Sequence, residues 1–259
     1  MNLHPTAIIE KGATLDPSVT VGAYAYIGPH VTLGAGCCIE HHATIDGYTT
    51  LGKNNHVYPY SFLGAQTHDL KYKGGVCSLK IGNDNTFREY VSIHTATSDG
   101  EATLLGDRNY ILACSHIGHD CCLGNDIIMS AKVATGGHVR IEDHANIGGH
   151  ASIHQFCHIG AYSMVAGHSF LKKDLLPFMI ASGSPAVVKS YNRIGMMRKG
   201  FTESERTCVK QCFKIFYTSS LNRSQGLERV RELVEFHACG RVKEVLEKFW
   251  GSETVRGWI

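Results

Sequence analysis

The sequence carries little net charge, little proline and no long apolar run, and each shortage excludes something. Its formal charge is +2 with histidine neutral, from 25 Lys and Arg against 23 Asp and Glu. No basic face or run stands out, so nucleic acid is not an expected partner. No segment approaches the roughly 20 apolar residues of a membrane span. Met1-Asn2-Leu3-His4-Pro5 lacks the basic-then-apolar order of a secretory signal. Six prolines leave no room for a Pro-rich linker. The ten cysteines include no Cys-x-x-Cys zinc spacing, and the neighbours Cys37-Cys38 and Cys121-Cys122 are poor disulfide partners for each other. They read as reduced thiols of a cytoplasmic protein. A length of 259 residues suits one large domain, or one with a small appendage.

What the chain has is a period of six. Stepping from Leu3 gives Ile9, Leu15, Val21, Ile27, Leu33, Ile39, Ile45, Leu51, Val57 and Leu63. The phase resumes at Ile81, Phe87 and Ile93, and runs again from Leu105 through Ile111, Ile117, Leu123, Met129, Thr135 and Ile141 to Leu171. Glycine often follows, as at Gly22, Gly34, Gly82 and Gly118, and small residues recur four places after the aliphatic one. Helices repeat near 3.6 and single strands near 2, so neither alone accounts for six. Short strands joined at glycine-permitted corners do, each burying one aliphatic side chain in a shared interior. The expected fold is mostly β, a hexapeptide-repeat parallel β-helix over residues 1–189. Interruptions near 65–80 and 95–104 read as projecting loops. Cys37, Cys121 and Cys157 fall on the small-residue position and read as packing.

After Leu171 the repeat fades. Thr202-Glu203-Ser204-Glu205 is a capping-box pattern, and Val209, Cys212, Phe213 and Phe216 follow at helical spacing. Leu227–Val234 and Val242–Phe249 are two more amphipathic stretches. Residues 190–259 are therefore expected to form a small C-terminal helical domain that caps the solenoid.

Histidine is concentrated in one region, led by Ser115-His116-Ile117-Gly118-His119-Asp120-Cys121. The repeats resemble those of the hexapeptide-repeat transferases, which implies three faces per coil. Such a coil repeats every eighteen residues or so, and residues that far apart stack about 4.8 Å from coil to coil. His119 then stacks with Gly137 and Gln155, and Asp120 with His138. His119, Asp120, Gly137, His138, His154 and Gln155 should share one edge. His119 reads as a general base oriented by Asp120, although neighbours on a strand point to opposite faces. Contact between the two therefore requires a corner or a second chain. Gly137 lets a ligand approach the backbone, whose amide is suited to stabilising an oxyanion. His144, His150, His158 and His168 read as structural.

The runs His116–Cys121, Gly137-His138, Ile147-Gly148-Gly149 and Ile153-His154-Gln155-Phe156-Cys157 resemble the UDP-N-acetylglucosamine O-acyltransferases that begin lipid A biosynthesis. Asp69-Leu70-Lys71-Tyr72, Arg88–His94 and Arg198-Lys199-Gly200-Phe201 extend the resemblance over the whole chain. It implies a left-handed, triangular coil and a cytoplasmic homotrimer with active sites between prisms. It also implies transfer of an (R)-3-hydroxyacyl group from acyl carrier protein to the 3-position of UDP-GlcNAc. No metal and no cofactor are implied beyond the donor's phosphopantetheine arm. By the same resemblance, His68, Asp69, Lys71, His116, His138, His154 and Gln155 face substrate. Asn192, Arg198 and Lys199 serve the nucleotide, where cations suit a pyrophosphate. Gly167 marks the end of the acyl groove, and a glycine there implies a tetradecanoyl-length chain. Thr95, Ile194 and His68 depart from the arginine-glycine, acid and glutamine common in the family, which leaves the acceptor open between a 3-hydroxyl and a 3-amine.

Three other readings compete. A 3-amine N-acyltransferase of the same pathway would carry an additional domain before the repeat, whereas here the repeat starts at Leu3. A γ-type carbonic anhydrase would bind zinc through histidines of neighbouring prisms. A trimeric scaffold would tolerate loss of His119.

Overall fold

The structure, a computed structural model, describes residues 1–252 and 256–259. The period-six side chains form the interior: Val21, Ile27, Leu33, Ile39 and Ile45 are all at most 2% exposed. Their strands are mostly two residues long, such as Thr20–Val21 and Tyr26–Ile27. They stack into three sheets of eleven, nine and eight strands, here called the first, second and third faces; these begin at Asn2–Leu3, Ile8–Ile9 and Thr14–Leu15. Neighbours along the coil pair in parallel, eighteen residues apart where no loop intervenes, as Asn2 with Thr20 and Cys122 with Arg140. This is a left-handed parallel β-helix. Cys37, Cys121 and Cys157 are buried free thiols at the small-residue position.

The corners differ from the sequence reading in an instructive way. The glycines that follow the aliphatic residues are mostly not the ones at positive φ. Tyr24, His42, Asp120, His138, His144 and His150 hold that conformation, at φ between 58° and 62°. Asn, Asp and His tolerate the left-handed region better than most residues. The glycines answer a different need: a Cβ on Gly34 would lie 2.5 Å from the carbonyl oxygen of Gly52 in the next coil. Close stacking of backbones, and not a dihedral, selects glycine there.

The two interruptions lengthen their coils, so that His56 pairs with Thr86 and Thr86 with Tyr110. They are shorter than expected because third-face strands extend into them: Ser78–Ile81 and Ala102–Leu105 pair with each other, and Ser78–Ile81 with Tyr48–Leu51, over four residues. The extension adds a second inward layer, with Thr49, Leu79 and Thr103 fully buried. The inserted segments also lie against each other. The Val76 amide donates to Asp99 Oδ1 at 2.7 Å, and the Thr67 and Thr97 hydroxyls are 3.0 Å apart. Thr95, Ala96 and Thr97 are consequently buried.

The last strand of the coil, Met179–Gly183, turns back through an antiparallel partner, Ala186–Tyr191. Five helices follow among the described residues: α1 (Arg193–Arg198), α2 (Glu203–Tyr217), α3 (Arg223–Arg231), α4 (Val234–Ala238) and α5 (Gly240–Trp250). Thr202 and Glu205 form the expected capping box of α2. The stretch Leu227–Val234 is not one helix. Leu233 adopts an extended conformation between α3 and α4, Val234 turns outward, and Phe236 takes the core position. The bundle covers the end of the coil: Phe249 of α5 stacks on His158 with ring centroids 4.3 Å apart, and Ser252 Oγ lies 3.2 Å from His158 Nδ1.

Candidate active site

The edge between the second and third faces carries the histidine-rich turn. Its backbone is held from several sides. Thr135 stands where the repeat would place an aliphatic residue, and its buried hydroxyl accepts from the Gly118 amide at 3.1 Å. Thr103 Oγ1 accepts from the Asp120 amide at 2.9 Å. With Asp120 at φ 58°, the chain turns back between residues 119 and 120, and two consecutive side chains meet where a strand would separate them. His119 Nδ1 lies 2.7 Å from Asp120 Oδ2, with the side chains only 14% and 12% exposed. No second chain is needed for this contact.

Asp120 also accepts from the Thr97 amide at 3.2 Å. Burial pushes its pKa up, but hydrogen bonds from His119 and from Thr97, with the charge of His138, outweigh burial and hold it below the usual value. A carboxylate beside Nδ1 fixes the proton on that nitrogen and leaves Nε2 as the basic atom. Nε2 of His119 has no hydrogen-bond partner among the described residues. It faces the backbone of Gly137: a Cβ there would lie 2.4 Å from Nε2 and 2.3 Å from Cε1. His138 Nε2 is 3.6 Å from Asp120 Oδ2, and its ring stacks on Phe156 at 4.6 Å. One ligand atom each of His119, Asp120 and His138 lies within 4.8 Å of the others. The donor set could meet a divalent cation, although the 2.7 Å bond already occupies His119 Nδ1.

Beside this edge the second face presents a row of imidazoles. His68, exposed on the first inserted loop, meets the ring of His94 at 4.0 Å, and His94 meets His116 at 4.7 Å. Ser92 Oγ lies 2.8 Å from His116 Nδ1. Burial, then the charges of His116, His68 and His119, lower the His94 pKa to about 4. His116 is lowered likewise by burial, then by His68 and His119. Because the unfolded chain binds this proton below about pH 6.5 and the native state does not until about pH 4, the shift costs nothing above pH 6.5. Stability falls as the pH drops between those values, by on the order of 3 kcal/mol for His94. Urea unfolding at a series of pH values should show this loss in the wild type and a shallower one in His94→Gln. Asp69 and Lys71 share the loop of His68, and the Lys71 amide donates to Asp69 Oδ1 at 2.9 Å.

Asn192, Arg198 and Lys199 come together elsewhere. They line a cavity of about 600 Å³ on the edge between the third and first faces, with Asp126, His144 and Tyr162. Asn192 is committed to the backbone: its Oδ1 accepts from Gly195 at the start of α1, and its Nδ2 donates to the Tyr162 carbonyl at 2.9 Å. Arg198 and Lys199 are exposed. His144, which read as structural, stacks on Tyr162 at 4.7 Å in this wall. Burial, then the charge of Lys199, lowers its pKa. Gly167 is exposed on the third edge, between the first and second faces. His154 and Gln155 lie at the turn above Gly137, where the Phe156 amide donates to the Gly137 carbonyl at 3.0 Å.

This geometry has close counterparts. Residues 174–259 match the family described as "Udp N-acetylglucosamine O-acyltransferase; Domain 2", and residues 12–47 match "Bacterial transferase hexapeptide (six repeats)". An acyl-[acyl-carrier-protein]--UDP-N-acetylglucosamine O-acyltransferase of a Synechocystis species is 43% identical over 165 residues, 64% of this chain and 60% of its own length. The protein of the same description from Burkholderia orbicola is 45% identical over 234 residues, 90% of this chain and 89% of its own. The chain belongs to the UDP-N-acetylglucosamine O-acyltransferases. The solved structure of LpxA from Acinetobacter baumannii superposes with a TM-score of 0.94 at 34% identity, covering 99% of both chains.

In this member of the family, several residues at the site escaped the sequence reading. Thr97 and Thr103 belong to segments without periodicity. His94 closes a strand, and its place between His68 and His116 depends on a loop. Thr135 did leave a signal, since it is the one hydroxyl residue among the aliphatic pegs from Ile111 to Leu171.

Proposed function

We propose that this protein transfers an (R)-3-hydroxyacyl group from acyl carrier protein to the 3-hydroxyl of UDP-N-acetylglucosamine, the first step of lipid A biosynthesis, with His119 as general base. The observation that carries the base is the His119–Asp120 pair, its Nδ1 bonded at 2.7 Å and its Nε2 turned toward the Gly137 backbone. The sugar oxygen attacks the thioester carbon while its proton passes to Nε2. The Gly137 amide faces the oxygen that gains charge. When the C–S bond breaks, the imidazolium returns the proton to the departing phosphopantetheine sulfur. The donor's own arm supplies the activated acyl group, so this sequence of steps asks for no further cofactor.

The residues assigned to substrate sit on different edges of one prism: the His119 turn on one, Arg198 and Lys199 on the second, Gly167 on the third. One substrate reaches all of them only where edges of neighbouring chains meet, which supports a cyclic homotrimer. In this reading His68, Asp69, Lys71, His116, His138, His154 and Gln155 contact sugar or acyl chain, and Arg198 and Lys199 take the pyrophosphate. Asn192 shapes the wall, and Gly167 leaves the groove long. The ten thiols, all free, support a reducing, cytoplasmic setting.

The test uses purified protein with UDP-GlcNAc, its 3-amino analogue and hydroxyacyl carrier proteins of graded length. Ester product with the tetradecanoyl donor is expected, unchanged after chelation. Amide product alone would make this an N-acyltransferase. Activity that requires stoichiometric zinc would favour the His119, Asp120 and His138 trio as a metal site.

A further inference from the structure

The inserted loops do more than flank the base. We propose that Thr97 is a positioning residue for His119, and that Thr67 holds Thr97 in the orientation this requires, which ties the loop bearing Asp69 and Lys71 to the base. The inference rests on the acyl-transfer reading for its kinetic consequences and on geometry for the rest.

Thr97 touches both members of the pair. Its amide donates to Asp120 Oδ1 at 3.2 Å, and its Oγ1 lies 3.0 Å from His119 Nδ1. Nδ1 carries a single hydrogen, directed to Asp120 at 2.7 Å and shared with Thr97 Oγ1. That sharing places a lone pair of Thr97 on the imidazole, so the Thr97 hydrogen must point elsewhere. Two acceptors are within reach of it: the Asp120 carboxylate, whose pKa a hydrogen bond from the Thr97 side chain helps to lower, and Thr67 Oγ1, 3.0 Å away; we assign it to Thr67. Thr67 already accepts from the Asp69 amide at 3.1 Å, and a hydroxyl oxygen has one further lone pair to offer. Both threonines are at most 9% exposed, so water does not compete for these bonds. The chain of contacts runs from the Asp69 amide through two hydroxyls to the ring, and two loops that are far apart in sequence meet in it.

When Nε2 takes the proton, positive charge develops on the imidazole. The Thr97 oxygen is then an additional acceptor for Nδ1–H, beside Asp120, and it favours the charged form. The other titratable groups near the ring are His138 on the next coil and His116 and His94 on the second face, with His68 beyond His94 and the Cys77 thiol within the field of Asp120. None of these offers an uncharged, buried acceptor to Nδ1.

Thr97→Val keeps the shape and the amide but removes the hydroxyl. Its kcat should fall about tenfold to thirtyfold with KM little changed. The acid limb of its pH profile should move to lower pH by up to about one unit. Thr97→Ser should restore both. Thr67→Val should shift the limb in the same direction by less, and Thr67→Val combined with Thr97→Val should equal Thr97→Val alone. A purely structural role predicts a raised KM and an unmoved limb, and either result would overturn the proposal. Histidine-selective carbon-13 NMR titration of His119 in wild type and Thr97→Val gives a readout independent of turnover. A lowered titration midpoint supports the relay even if the wild type makes no product, and an unchanged midpoint overturns it.

Discussion

His119→Ala should lower kcat by about 10²–10⁴ while the protein stays folded. The side chain fills no position in the hydrophobic interior, which is built from Ile117, Cys121, Thr135 and their neighbours in the stack. In the proposed mechanism its removal takes away the atom that accepts the proton and leaves the Asp120 carboxylate and the Gly137 amide in place. KM for the sugar nucleotide should change little, because Arg198 and Lys199 line a cavity on a different edge. Steady-state kinetics with a thermal melt on the same preparation checks this. Wild-type turnover in a folded His119→Ala protein would remove His119 from the mechanism.

Gly137→Ala should be nearly as damaging, by a different route. The added Cβ would sit 2.3 Å from Cε1, 2.4 Å from Nε2 and 2.9 Å from Nδ1 of His119, far inside contact distance. The ring cannot swing away cheaply, since Asp120 and Thr97 both hold Nδ1. Something must shift, and a displacement of about 1 Å at a reacting group can cost a hundredfold in rate. A hundredfold or greater fall in kcat is therefore expected. Gly137 does not have a positive φ, so alanine adds no backbone strain and the loss should appear in turnover more than in the melting temperature. In a His119→Ala background the same substitution should cost little more, because the group it displaces is gone. Independent, additive losses would place Gly137's role elsewhere.

The two substitutions also mark how the site was encoded. The stacking of Gly137 beside His119 follows from a repeat of eighteen residues, which counting along the chain recovers. That Nε2 is the free nitrogen does not follow from counting, because it depends on which atom Asp120 reaches. The residues that line the cavity illustrate a further limit. Asn192, Arg198 and Lys199 were recognisable by resemblance, but Asn192 turns out to spend its side chain capping α1 and bonding Tyr162. His144 looked like one more corner histidine, and only the path of α1 over the last coils turns it into the wall of a cavity.

While the three sides of the coil came from its resemblance to known hexapeptide-repeat proteins, the sequence by itself determined the coil, the buried pegs and the helical cap. Each of these follows from periodic burial, a property that neighbouring residues carry locally. The density of histidines pointed to His119, and stacking of the coils placed Gly137 beside it. Only the tertiary structure decided the pairing of His119 with Asp120, because it rests on a left-handed corner that brings two consecutive side chains together. Only the tertiary structure brought in Thr97, Thr67 and His94, because these lie on aperiodic loops or at their borders. Thr97 and Thr67 are held by hydrogen bonds to residues more than twenty positions away, His94 by ring contacts with His68 and His116, and no local pattern in the chain reports such contacts.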